Sequence, residues 1–550
     1  MADFLNSTRH SSASLHWQVG LETDIGGGRE NQDDCFVWAK KNAMVEHGAS
    51  MTAAETEVAT FSATSSSTRN ESDRNPVLFC ADLIVLCVLD GHGREVGRIA
   101  SESAKTCLFR HLDDHYQDLI SDPSKFLVHA HELAHDHIRN SFRAELERQG
   151  YCVTQTAEGY LMKRRSASED WSCVHGGTSC SMAAIVDSEL FIANVGDSTG
   201  IICASHPIFA GCSSTGSIST VTTATAATGM GTGAPVNEAT AAVTHIPELQ
   251  HILDAAQPSA NNTLTSSSDI DKNGAPTSNT CSSNSNNSNS SDNDSKNYLV
   301  ITAEHSPECP SEYERLRAFR SREGDPTQPA LVVVYDASSH DKSRCNAVFS
   351  RDSATGQLLV TNQGSYYKNV RKEWASLVST PPYARFQDAL AFTRSLGDLH
   401  LHTYGVTHLP EIQKVNLNRI FTNLKNYQNA QNKDNDSDNN VNSVSRTTTT
   451  SNTTTSTPFA DEVSGSTLCI VLATDGVWDN WAYEDVNRFV MDASCINAVG
   501  AAADGAKRVA LSLMQRNALY AKRNFGSNAD NATGIVLYLS QLPTFPSTGL

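Results

Sequence analysis

The chain reads as a mixed α and β protein whose strands run antiparallel, and three observations point there. Apolar runs of strand length end abruptly in turns, as where Leu83–Leu89 is followed by Asp90-Gly91-His92-Gly93, and such runs are buried strands. Two of them, Cys180–Val186 and residues 190–195, are separated by little more than Asp187-Ser188, a hairpin spacing. Between strands stand long stretches with apolar residues three and four apart, the period of an amphipathic helix.

Composition sets the bounds. With 550 residues the chain can bury a large core, but its hydrophobic content of 39% is low, so part of the length is expected to stay unpacked. A net charge of -19 argues against nucleic acid or an anionic membrane as partner and suits a binder of divalent cations. The 14 cysteines are scattered, with no C-x-x-C pair, as in a reducing compartment rather than a disulfide framework. No leader-like segment, membrane span or N-terminal myristoylation glycine is visible. The expectation is an intracellular monomer of the cytoplasm or nucleus, without membrane or nucleic-acid partners.

Taken in order, residues 1–13 read as a flexible N-terminus, and 14–38 hold two strands around Gly26-Gly27-Gly28-Arg29-Glu30-Asn31-Gln32-Asp33-Asp34. Residues 40–75, rich in Ala, Ser, Thr and Glu, read as an insertion. After Gly93, Val96, Ile99, Ala100, Ala104, Leu108 and Leu112 mark one helix. Ser121-Asp122-Pro123 is a helix start, an N-cap followed by proline. The helix it opens contains His131-Glu132-Leu133-Ala134-His135, a literal zinc-protease pattern in which two histidines one turn apart can share a zinc. The plainer reading is a solvated helix face. The 180–195 hairpin leads to Gly196-Asp197-Ser198. Residues 205–297, ending in a Ser/Asn tract, read as disordered. A strand restarts at 298, and a second polar tract at 427–464 also reads as disordered. Its Asp434–Asp438 stretch lacks the glycine and closing Glu of a calcium loop. The remainder is a buried strand ending in Thr474-Asp475-Gly476-Val477-Trp478-Asp479, two helical stretches, and a last strand entered from Asp530-Asn531.

One pattern recurs along this course. Asp90, Asp197, Asp475 and Asp530 each stand beside Gly or Asn at a strand end, and the pair Asp33-Asp34 precedes a strand. Carboxylates converging at strand ends repel unless cations lie between them. These loops carry no Cys/His set, so the cations would be hard, Mg²⁺ or Mn²⁺. Scattered surface loops are the alternative reading of the same residues.

In identity and order, Arg29 with Asp33-Asp34, Asp90-Gly91-His92-Gly93, Gly176-Gly177-Thr178-Ser179, Gly196-Asp197-Ser198, Thr393-Arg394-Ser395-Leu396-Gly397-Asp398, Asp475–Asp479 and Asp530-Asn531 resemble the motifs of metal-dependent Ser/Thr protein phosphatases of type 2C (the PPM family). The resemblance runs from about residue 15 to 540. It implies an α+β fold, a single domain over 14–545 in which two packed antiparallel β-sheets are flanked by α-helices, with the cleft at one end of the sandwich. It also implies phosphorylated protein substrates and a hydroxide bridging two divalent metals as nucleophile.

By position Asp90 would bridge the metals. Asp33, the Gly91 carbonyl, Asp475 and Asp530 would complete their ligands, and Asp34 would orient a bound water. Asp197 and Asp479 would serve a third, weaker site. Arg29 would hold the substrate phosphate through its planar fork. His92 would donate a proton to the departing Ser/Thr oxygen, or else only orient a water. Asp479 could instead be a helix N-cap. Thr178, Ser179 and Trp478 read as packing residues, and Arg394 and Asp398 as a salt bridge bracing the loop. Two positions depart from the family pattern: Thr199 replaces a frequent Arg, and Glu304 replaces the usual Asp. Residues 325–385 correspond to a flap beside the active site, here long and with strand-like runs of its own. Three rivals follow: a pseudophosphatase binding module, though every ligand position is filled; a zinc protease on His131 and His135; and a two-metal nuclease, which the acidic charge disfavours.

Overall fold

The computed structural model describes residues 15–40, 59–62, 83–209, 219–221, 296–319, 330–339, 341–439 and 467–541. In chain order the elements used below are β1 (Leu15–Asp24), β2 (Asp34–Lys40), β3 (Ala59–Ser62), β4 (Leu83–Leu89), α1 (Gly97–Ser121), α2 (Pro123–Arg148), β5 (Cys180–Val186), β6 (Glu189–Val195) and β7 (Thr199–Ala204). They continue with β8 (Ser219–Val221), β9 (Tyr298–Val300), α3 (Pro310–Ala318), β10 (Val332–Tyr335), β11 (Ser376–Ser379), β12 (Glu411–Asn416), α4 (Leu417–Asn439), β13 (Thr467–Ala473), α5 (Asp475–Trp478), α6 (Tyr483–Val490), α7 (Ala493–Ala501), α8 (Gly505–Asn524) and β14 (Ala532–Gln541).

Two antiparallel sheets form the centre. One has the order β1-β14-β13-β7-β9, the other β8-β12-β6-β5-β4-β2-β3. β4 shows why its sequence is apolar without alternation. Successive side chains point to opposite faces of a strand, and here both faces are covered. Ile84, Leu86 and Val88 enter the core between the sheets, where Ile470, Leu472, Ile535 and Leu537 meet them. Leu83, Val85, Cys87 and Leu89 instead pack under α1 and α2 with Ala104, Leu108, Ala130 and Ile138. Burying each of these large apolar side chains contributes about 1.5–3 kcal/mol. β13 divides likewise, its Cys469 and Val471 packing with Val509, Leu513 and Val486 of α8 and α6. The result is four layers, helix–sheet–sheet–helix, the predicted α+β sandwich. α2 begins as read, with the Asp122 carboxylate accepting from Lys125 N at 3.1 Å and Pro123 in the first turn.

Several expectations change. The 1–13 segment and most of the 40–75, 205–297 and 427–464 stretches lie outside the described residues. Where they are described, they are ordered: β3 pairs with β2, β8 pairs with β12, and α4 runs through to Asn439. The flap region holds strands at both of its apolar runs, β10 and Leu358–Val360. β10, β11 and Ala389–Leu390 form a sheet. Leu331, Val333, Val348, Phe349 and Val378 build a small core with Leu316 of α3.

Candidate metal centre

Antiparallel pairing brings five strand ends to one edge of the sandwich. Asp34 at the start of β2 pairs with Leu89 at the end of β4, and Ala473 at the end of β13 lies opposite both Thr199 and Gly534. The loops carrying Asp33, Asp90, Asp197, Asp475 and Asp530 therefore surround a single point. Donor oxygens of Asp90, Asp197 and Asp475 lie within 4.8 Å of one another.

Backbone clamps hold these loops. The Asp90 carbonyl accepts from Ser179 N at 2.8 Å, and Ser179 Oγ pairs with Ser198 Oγ at 2.7 Å. Thr178 and Ser179 are thus packing residues, fully buried, as read. A Cβ on Gly91 would fall 2.5 Å from the carbonyl oxygens of both Gln32 and Gly97, so the Asp90 turn tolerates only glycine there. Gly196 has φ +100, a conformation glycine adopts without cost, and so aims Asp197 inward. Asn531 ties the first loop to the last. Its Oδ1 accepts from Gln32 N at 2.7 Å, and its Nδ2 donates to Ile25 O at 2.7 Å. Arg29 is exposed on that loop.

The electrostatics are those of crowded carboxylates. Burial, opposed by a Thr474 hydrogen bond and joined by the charges of Asp475 and Asp530, pushes Asp33 up to about 8. Loss of water and neighbouring carboxylates push Asp475 and Asp530 up to about 6 each. Asp90 is raised well above the carboxylate range by burial first, then Asp475, Asp33, Asp530 and Asp197. The buried Oδ1 atoms of Asp33, Asp197 and Asp475 have no hydrogen-bond partner. Unpartnered buried carboxylate oxygens in a like-charged cluster fit a hard divalent cation. Asp33, Asp90, Asp475, Asp530 and the Gly91 carbonyl would hold such ions, and Asp197 lies at the same point.

A cavity of about 510 Å³ opens beside the cluster, lined by Asp90, His92, Asp197, Asp475 and Asp530 on one side and by His175 and residues 388–392 on the other. His92 reaches it from the Asp90 turn. Its Nε2 lies 2.7 Å from Asp398 Oδ2, and Phe392 stands edge-on to the ring at 5.3 Å. Burial acts to lower the His92 pKa, but the Asp398 charge and hydrogen bond outweigh it and raise the pKa. Asp398 itself is held in the left-handed region, φ 42, with its N–H on Gly176 O at 2.8 Å.

Four readings need correction here. Arg394 does not pair with Asp398. Its guanidinium goes to Glu312 at 2.6 Å and Glu411 at 3.4 Å, which leaves Asp398 to His92. Asp34 does not line the cavity; its Oδ1 accepts from Lys105 Nζ of α1 at 2.7 Å and from Cys35 N at 2.8 Å. Asp479 is no N-cap, because it closes α5 and the residue before α6 is Ala482. It stays near the cluster, raised by burial, Asp475 and Asp197. His131 and His135 are buried rather than solvated, while Glu132 points outward to His129 at 3.5 Å. His135 Nδ1 accepts from Gly397 N at 3.2 Å, and its ring nitrogens gather with those of His402 and His408 rather than with His131, so the two histidines form no zinc-protease pair among the described residues. Trp478 is core, as read.

Lys368 of the flap went unnoticed in the sequence. Against the opposing effect of burial, the charges of Asp197, Glu373, Asp479 and Asp475 raise its pKa. Its segment is seated on the site, with Val370 N donating to Asp479 O at 3.1 Å and Arg371 to the carbonyls of Trp478 and Trp481. A lone lysine in a long insertion carries no local signal of this.

Residues 85–216 match the family model of protein phosphatase 2C, and the site motifs outside that stretch come to the same point in space. The chain is similar to that family over this stretch. It is 29% identical to bovine protein phosphatase 1L over 116 residues, 21% of this chain, and spans 26% of that relative's length. Among solved structures, the chain is similar to a serine-threonine phosphatase 2C from Toxoplasma gondii, at 12% identity and TM-score 0.40, covering 96% of this chain and 95% of that one. It is also similar to the catalytic domain of the phosphatase PstP in complex with two manganese ions, at 11% identity and TM-score 0.31, covering 96% and 100%.

Proposed function

We propose that this chain is a Ser/Thr phosphoprotein phosphatase working with two divalent cations, Mg²⁺ or Mn²⁺, in the carboxylate cluster. The observation that carries this reading is the convergence of Asp90, Asp197 and Asp475, with unpartnered buried oxygens, on a cavity that also receives the His92–Asp398 pair. When bound, such a pair of cations supplies a water acidic enough to act as a bridging hydroxide nucleophile near neutral pH. Asp90 feels the charges of Asp475, Asp33, Asp530 and Asp197, which supports a ligand shared between the two cations. Arg29, exposed on the first loop, would offer a bidentate fork to the substrate phosphate. His92 delivers the proton that a departing serine or threonine oxygen requires, and Asp398 holds the ring and keeps it protonated. The apolar wall at Leu390 and Phe392 sheds water from the phosphoester.

A second reading, a catalytically weak binding module, has one observation in its favour. The Lys368 ammonium already offsets part of the charge that a third cation at Asp197 and Asp479 would meet. Turnover of p-nitrophenyl phosphate and of a phosphothreonine peptide, with Mn²⁺, with Mg²⁺ and with EDTA, separates the two. The wild type should need a cation, and Asp90→Asn should lose at least about 10²-fold. Activity persisting in EDTA or in the variant sinks the mechanism, and no activity with any cation favours the binding module. Lys368→Met should tighten the Mn²⁺ dependence of activity, which an unchanged titration would contradict.

A further inference from the structure

Cys173 and His175, which line the cavity, form with the buried His400 a second donor set of a different kind. Cys173 and His175 come from the strand and turn leading into Gly176-Gly177, and His400 from the short helix that follows Asp398. The Cys173 sulfur and one ring nitrogen from each histidine lie within 4.8 Å of one another. Asp388 sits against both rings, its Oδ2 2.7 Å from His175 Nδ1 and 3.8 Å from His400 Nδ1. The first distance is a hydrogen bond and the second is not. His400 Nδ1 is left buried and without a partner, on a side chain only 3% exposed. Tyr160, Tyr404 and Phe386 stand edge-on around the His400 ring at 4.9, 5.4 and 5.8 Å, so water does not serve that nitrogen easily. A buried ring nitrogen without a hydrogen bond is open to a cation.

We propose that Cys173, His175 and His400 form a binding site for a borderline-soft divalent cation, zinc foremost, separate from the carboxylate centre. Thiolate and imidazole donors select zinc, whereas the carboxylates of the cluster select Mg²⁺ or Mn²⁺. The Asp388 carboxylate, accepting from His175 Nδ1–H, leaves the lone pair on Nε2 and fixes the ring, the support that metal-binding histidines commonly have. Zinc bonds of about 2.0–2.1 Å to nitrogen and about 2.3 Å to sulfur need only small side-chain movements to draw these donors together. On binding, the Cys173 thiol gives its proton to solvent and the sulfur becomes the ligand, with no change of oxidation state. Three protein donors leave a fourth position, and the exposed edge of His175 places it toward the cleft.

The histidines His135, His402 and His408 do not offer the same thing, although their nitrogens are also close. His135 and His408 are stacked at 4.4 Å with 20° between planes, and His402 and His408 at 12°. In-plane lone pairs of stacked rings do not converge on one ion.

Equilibrium dialysis of the chelator-treated full chain against zinc tests the proposal, alongside the absorption spectrum after Co²⁺ loading. An Asp90→Asn/Asp475→Asn background removes cation binding at the carboxylates. In it, one zinc per chain should be retained, and cobalt should give thiolate charge-transfer and intense tetrahedral bands. Cys173→Ser should abolish the charge-transfer band. His175→Ala, on a side chain partly open to solvent and safe for folding, should weaken zinc at least tenfold. Zinc stoichiometry and affinity unchanged by both substitutions, or a cobalt complex without the thiolate band, would overturn the site.

Discussion

His92 depends on one neighbour. Its ring nitrogen lies 2.7 Å from an Asp398 carboxylate that also accepts from Ser395 Oγ. A carboxylate partner raises an imidazole's pKa, so the acid form persists to higher pH and is lost only as pH rises through the raised value. Asp398→Asn removes that support and lowers the pKa. The alkaline limb of kcat for a phosphothreonine peptide should therefore move toward acid, with a fall of about 10²-fold. p-Nitrophenyl phosphate, whose leaving group needs no proton, should be much less affected. Equal losses on both substrates, or an unmoved limb, would mean that the pair only shapes the cleft.

At the scale of elements, the flap is a module with its own core, and Arg371 is a latch between it and the site. Arg371 donates to the carbonyls of Trp478 and Trp481, pairs with Glu373 at 2.9 Å, and lies over the Tyr483 ring at 4.8 Å. Those carbonyls belong to α5 and the turn after it, directly behind Asp475 and Asp479. Arg371→Ala should free the segment around Lys368 without unfolding the sandwich, whose cores lie elsewhere. The expected signature is faster proteolysis confined to residues 366–375 and a raised KM for a phosphopeptide, with the melting temperature within a few degrees of wild type. Cooperative unfolding at much lower temperature would show instead that the flap core and the sandwich are one unit.

For the whole molecule, the carboxylate cluster sets how stability varies with pH. Asp33 is raised to about 8, and Asp475 and Asp530 to about 6. Across that window, from the ordinary carboxylate pKa upward, the folded chain holds protons that the unfolded chain has released. Stability then falls as pH rises. Buried His135, His402 and His408, all lowered, act the other way on the acid side, so the cleanest measure is a difference. The gain in melting temperature on adding Mn²⁺ to EDTA-treated protein should be small near pH 5 and grow steadily toward pH 8. A gain independent of pH would mean that the cation does not bind these carboxylates.

Much was legible in the sequence because some signals are local. A run such as Leu83–Leu89, apolar at every position, declares a strand covered on both faces, and both faces are covered. The Asp-Gly and Asp-Asn turns at strand ends announce the carboxylates, and antiparallel pairing alone brings them to one edge. What the sequence could not decide is which distant groups meet once the layers close. Arg394 and Asp398 lie four apart and invite a bridge, yet Glu312 of α3 claims the arginine and His92 the aspartate. His131 and His135 look like a solvated or zinc-binding face until packing of α2 against the sheet buries them. Lys368, Cys173, His175 and His400 carry no periodicity or motif, and only the closing of the flap and of the turns around the cleft gives them neighbours. Local chemistry determined the strands, the helices and the acidic loops; long-range packing decided the partners, because contacts across hundreds of residues leave no trace in local spacing.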